Sequence, residues 1–120
     1  MGKFSSLESA GFAVAPALQQ LAGSEKLYLS VITKFYDAYE TLPDSIRADL
    51  QNSDFGKIQR DAHTVKGLAG TIGHSGLREV AEKLEYSASK GDAAACEAAL
   101  GDFVPVFGAV MAALQAVITA

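Results

Sequence analysis

Apolar residues recur at three- and four-residue intervals through most of this chain, and residues that start or stop helices break the recurrences. The run Phe55, Ile58, Ala62, Val65, Ala69, Ile72 follows Asp54, a good N-cap, and ends before Gly73. A second run, Leu77, Val80, Ala81, Leu84, Ala88, begins near Gly76 and stops at Gly91. Asp92 then caps a long last stretch carrying Ala95, Ala99, Phe103, Phe107, Val110, Leu114 and Val117. Pro105 inside that stretch removes a bond to the Gly101 carbonyl and predicts a kink or split there. Upstream, Ser24 caps a helix whose inward positions read as Leu27, Val31, Phe35, Ala38 and Leu42. Leu42-Pro43-Asp44 interrupts it, and Ile46 and Leu50 carry a short resumption to about Asn52. A short helix over 15–22 precedes it, with Pro16 in its first turn and Gly23 as its stop.

No sustained alternation and no Asn-Gly or Asp-Gly turn signals a strand. Short connections between long amphipathic helices make neighbours antiparallel. The expected fold is therefore all-α: an up-and-down antiparallel four-helix bundle over residues 11–120, with a short extra N-terminal helix and residues 1–10 as a leader.

Length and composition fit one domain: 120 residues, 49 % hydrophobic and 20 % charged. A net charge of -4 and no basic patch argue against nucleic acid as a partner. The longest apolar run reads as far short of a membrane span. The lone Cys96 allows no internal disulfide and completes no metal site, so a reducing cytoplasm is the simplest compartment. Cys96 itself reads as a small buried residue, and Phe35, Tyr28, Tyr36 and Tyr39 as core and rim.

The chemistry concentrates on the helix after Asp54. At about 100° per residue, His63 points roughly 140° away from the apolar stripe. Gly56, Gln59, Arg60, Lys66, Gly67 and Gly70 lie within about 60° of it. An exposed imidazole near neutral pH offers one ring nitrogen as a nucleophile. A phosphoryl group arriving there would bring about two negative charges, and Lys66 at i+3 is on the correct side to meet them. Gly67 and Gly70 lie opposite the buried stripe, each at a helix cost of about 1 kcal/mol relative to alanine. Bare backbone there would let a partner bring its own phosphorylated residue close. The bland reading is a surface histidine beside an ordinary surface lysine; only the joint arrangement argues against it.

The segment His63-Thr64-Val65-Lys66-Gly67, with Gly73 six residues on, resembles the signature of histidine-containing phosphotransfer (HPt) domains. Ala62 before it, and Leu77, Ala81, Leu84-Glu85 and Gly91-Asp92 after it, extend the likeness from about Gly11 to Leu114. The resemblance implies a four-helix bundle whose histidine accepts phosphate from a receiver-domain aspartate and passes it to another in a multistep phosphorelay. It implies His63 as the phosphorylated nucleophile, Lys66 as charge stabiliser and Gly67 as the opening for the partner. Gln59, Arg60 and Gly70 are candidate partner contacts. Leu68 departs from the small polar residue often found after that glycine.

Such a protein is a phosphocarrier without independent turnover. It needs no cofactor of its own, because phosphoryl transfer depends on positioning and charge and the partner can supply the metal. Its partners would be receiver domains, possibly of a hybrid sensor kinase, and the chain would act as a monomer without nucleic acid or membrane. Two alternatives stand beside it: direct phosphorylation of His63 by an ATP-dependent kinase domain, and a non-catalytic helical adaptor. His74, at a corner with no Lys-Gly after it, reads as a turn or capping residue rather than a metal ligand.

Overall fold

The computed structural model describes residues 2–120. Seven helices follow one another: α1 (Ser5–Ser9), α2 (Val14–Gln20), α3 (Glu25–Tyr39), α4 (Leu42–Gln51), α5 (Phe55–Ile72), α6 (Ser75–Ser89) and α7 (Ala93–Ile118). Helices α3, α5, α6 and α7 are the long members of the bundle, and no strand occurs among the described residues. At 1.5 Å per residue α7 runs for about 39 Å, most of the molecule's 45 Å long axis.

Local chemistry sets the boundaries. Ser24 Oγ, Asp54 Oδ1 and Asp92 Oδ1 accept the backbone N–H groups of Leu27, Lys57 and Ala95 at 3.0, 3.2 and 3.0 Å. His74 does the same for α6, its Nδ1 accepting from Leu77 N–H at 2.9 Å, which makes it the capping residue its position suggested. Gly73 ends α5 with φ +89°, where a side chain would be strained. A Cβ there would also come within 2.6 Å of the Ala13 carbonyl oxygen, so glycine is needed twice over.

The inward faces of α5 and α6 are largely those the periodicity predicts: Ile58, Ala62, Val65, Ala69 and Ile72 on one, Leu77, Ala81, Leu84 and Ala88 on the other, all buried, with Phe55 and Val80 only partly buried at their edges. Helix α3 differs. Its buried stripe is Tyr28, Ile32 and Phe35, whereas Leu27 is 47 % exposed and Ala38 is also outside. Both stripes satisfy helical spacing. The choice falls to Tyr28 because its hydroxyl donates to the Ile72 carbonyl at 2.7 Å, so the larger ring is buried with its polar end satisfied. Burial pushes its phenol pKa up to about 12, so it remains a donor. Leu42 belongs to α4 and not to α3. Lys57 pins α4 to α5, its ammonium donating to Ser45, Asp49 and Asp61 at 3.0, 2.9 and 3.3 Å.

Three further expectations need correction. First, α7 passes through Pro105 as one helix, with no split. Gly101, whose carbonyl loses its partner, is exposed, so water can satisfy it. Second, α7 is long and apolar enough to cross a membrane, with a mean hydropathy of 1.7 over 18 residues, contrary to the reading of its apolar run. In this fold its Phe103, Phe107, Val110 and Leu114 face is committed to the bundle core. Third, the segment read as a leader is packed: Phe4 and Leu7 are buried, and Phe4 sits edge-on against Tyr28 at 5.0 Å. Two short helices rather than one therefore precede the bundle. Phe4 and Leu7 escape a periodicity reading because a five-residue helix is too short to show a repeat.

Candidate functional site

Helices α5 and α6 are joined by Gly73 and His74 alone, so they fold back closely and antiparallel. That register sets residues of α6 opposite residues of α5, and Glu85 falls opposite His63. Its carboxylate is the centre of the site. Oε2 lies 2.7 Å from His63 Nδ1, and Oε1 lies 2.7 Å from Lys66 Nζ. His63 is 67 % exposed by side chain, while Glu85 is 19 % and Lys66 22 % exposed. The imidazole stands in solvent above a half-buried ion pair.

The electrostatics follow from that sharing. The Lys66 ammonium, and then the His63 ring, hold the Glu85 carboxyl below the usual carboxylate range, against an opposing push from burial. Glu85 is therefore ionised near neutral pH and can only accept hydrogen bonds. The proton between it and His63 must sit on Nδ1. A neutral imidazole carries one ring proton, so the lone pair is on Nε2. The arrangement can thus present an oriented, unprotonated ring nitrogen to an electrophile carried by another molecule. The sequence reading missed Glu85 as a site residue. The signal that could have found it is the two-residue corner, which counts out equal distances along both helices.

The remaining candidates are placed as follows. Gly67 and Gly70 are exposed, and a Cβ on either would meet nothing within 4 Å, so close packing does not account for them. Gln59 lies on the exposed face, beside a shallow opening shared with Lys66, Glu82, Glu85, Tyr86 and Ser89. Arg60 is exposed, with its guanidinium folded back towards Gly56. Tyr86, not singled out by the sequence, is 64 % exposed beside Glu85, with Lys90 Nζ 5.1 Å from its ring centre. Leu68 is half-buried against the core, which explains an apolar residue after Gly67. His74 caps α6 and packs edge-on against Phe12 at 4.8 Å. Cys96 is buried, and burial followed by the nearby Asp92 raises its thiol pKa, so it carries no reactive thiolate.

A helical bundle with one orientated imidazole on its outside leaves that ring open to another molecule at its surface. The family comparison makes this specific: the Hpt domain model matches residues 30–120, and the chain belongs to the Hpt domain family. Members of that family take part in histidine phosphotransfer in two-component phosphorelays, as phosphocarriers rather than catalysts in general, and interact with receiver domains. Comparison with the curated proteins and with the solved structures returned no match.

Proposed function

We propose that this protein carries a phosphoryl group on His63 Nε2, taking it from an aspartyl phosphate of one receiver domain and giving it to the aspartate of another. The observation that carries the reading is the exposed ring whose Nδ1 is engaged by Glu85 at 2.7 Å. In the transfer, the Nε2 lone pair attacks phosphorus and an N–P bond forms. The P–O bond to the aspartyl carboxylate breaks, and its electron pair leaves with the carboxylate. The ring keeps its Nδ1 proton, and the charge it gains is met by Glu85. Passing the group on reverses these steps.

Lys66 has a double part. It neutralises Glu85, whose charge would otherwise repel the incoming phosphoryl group, and it adds a positive field one turn from the ring. Gly67 leaves room for the partner's active-site loops, and Gln59, Arg60 and Gly70 lie along the surface that would be covered. The chain works as a monomeric cytoplasmic phosphocarrier without turnover of its own.

The test is mass spectrometry after incubation with a phosphorylated receiver, with kinase plus ATP as a parallel arm. The expected result is one acid-labile phosphate on His63, absent in His63→Gln. Label that enters only from the kinase, or signalling that persists unchanged in His63→Gln, would overturn the receiver-to-receiver role.

A further inference from the structure

A groove of ≈ 720 Å³ runs between α4 and the first half of α7. Leu50, Leu100, Val104 and Pro105 make its wall largely apolar. No residue of α5 or α6 lines it, so it is separate from the surface that carries His63 and Glu85. On α7 it extends from Ala93 to Pro105, which at 1.5 Å per residue is about 18 Å, or roughly three helical turns.

Two residues in this wall are unfavourable for the helix that holds them. Glycine and proline are the costliest residues in a helix interior, and Gly101 and Pro105 both stand inside α7. A Cβ on Gly101 would meet nothing within 4 Å, so close packing does not require glycine there. Pro105 has no N–H, so the Gly101 carbonyl lacks its helical donor. Both residues line the groove, which puts a hydrogen-bond acceptor without an intrahelical partner in an apolar wall. The free charge there is negative. Arg47 is paired with Asp44 at 3.0 Å, whereas Glu97 lines the groove and makes no ion pair among the described residues. Asp102, exposed on the same helix, is also without one.

We infer that this groove docks a basic amphipathic helix of a partner protein and holds the chain on that partner while His63 stays free. Apolar side chains at three- and four-residue spacing lie along Leu50, Leu100 and Val104. A lysine or arginine of the same helix meets Glu97, and a donor displaces water from the Gly101 carbonyl. Bare backbone at Gly101 lets the occupant come close. A helix fits this wall better than an extended segment does. Helices α4 and α7 satisfy their own backbone groups and offer no ladder to a strand, whereas a docked helix satisfies its own. The docking does not depend on which protein phosphorylates His63.

The test uses the full chain and a leucine–lysine model peptide of about 18 residues in helical pattern, long enough to be helical when bound. A leucine–glutamate peptide of the same pattern is its counterpart. Affinity is read by fluorescence anisotropy, the position of the peptide by amide NMR shifts, and stability by circular dichroism. The lysine peptide should shift amides along α4 and α7, and the glutamate peptide should bind at least about tenfold more weakly. Glu97→Lys should weaken the lysine peptide about tenfold, and Glu79→Lys, the same charge change on an exposed position of α6, less than about twofold. Pro105→Ala returns a donor to the Gly101 carbonyl, so it should raise the melting temperature and yet weaken binding about threefold. No binding, shifts centred on α5 and α6, equal binding of the two peptides, or equal effects of Glu97→Lys and Glu79→Lys would overturn the docking. So would a dimer of the unaltered chain in sedimentation velocity that Gly101→Gln disrupts, because a second copy would then be the occupant.

Discussion

His63 and Lys66 share one carboxylate, and the proton inventory of the site depends on it. With Glu85→Gln the acceptor is no longer charged, and the preference for a proton on Nδ1 weakens. Nitrogen NMR should find the neutral His63 ring almost wholly protonated at Nδ1 in the parent protein and as a mixture of tautomers in the variant. Transfer to His63 should slow in proportion to the lost Nε2 lone pair. Stability follows with a definite sign. A carboxyl whose folded pKa is lowered contributes above its unfolded pKa, and the contribution is lost as pH falls through the folded value. The parent should therefore be more stable than Glu85→Gln near pH 7, by up to about 1 kcal/mol for a partly exposed network. The two melting curves should converge as pH falls through the lowered folded value, once Glu85 is protonated in both states. A difference that survives acid would mean that packing, not charge, holds Glu85 in place.

Helix α5 carries two opposed demands on one cylinder. Its inner stripe is closed by Ile58, Ala62, Val65, Ala69 and Ile72, and its outer face is stripped at Gly67 and Gly70. Alanine at Gly67 has free space and gains helix propensity, so Gly67→Ala should raise stability by about 1 kcal/mol. The same methyl stands beside the approach to His63, so transfer from a receiver should slow. Thermal melting and transfer kinetics on one preparation separate the two effects. A faster or unchanged transfer in a more stable protein would remove Gly67 from the partner surface. The pattern of α5 and α6 was legible in advance because caps and glycines bracket stripes of a single unambiguous phase. In α3 two stripes fit equally well, and only the Ile72 carbonyl, supplied from another helix, settles it in favour of Tyr28.

The molecule as a whole is a bundle with an N-terminal segment folded over one end. That segment belongs to the core through Phe4, Leu7, Phe12, Val14 and Ala17. Phe4→Ala should cost about 3 kcal/mol, as for a buried aromatic that leaves a cavity, readable as a lowered denaturation midpoint. A change below about 0.5 kcal/mol, the usual range for a surface substitution, would return residues 4–10 to the status of a leader.

The four long helices and their caps, the outward direction of His63 and the bare backbone around it were all written in local patterning, because capping chemistry and a 3.6-residue repeat act within a few residues of chain. Glu85 as the partner of His63 and Lys66, the exposure of Leu27, an unbroken α7 and a packed N-terminus were not. Each of these depends on atoms far apart in sequence, brought within hydrogen-bond or van der Waals reach only when the helices dock.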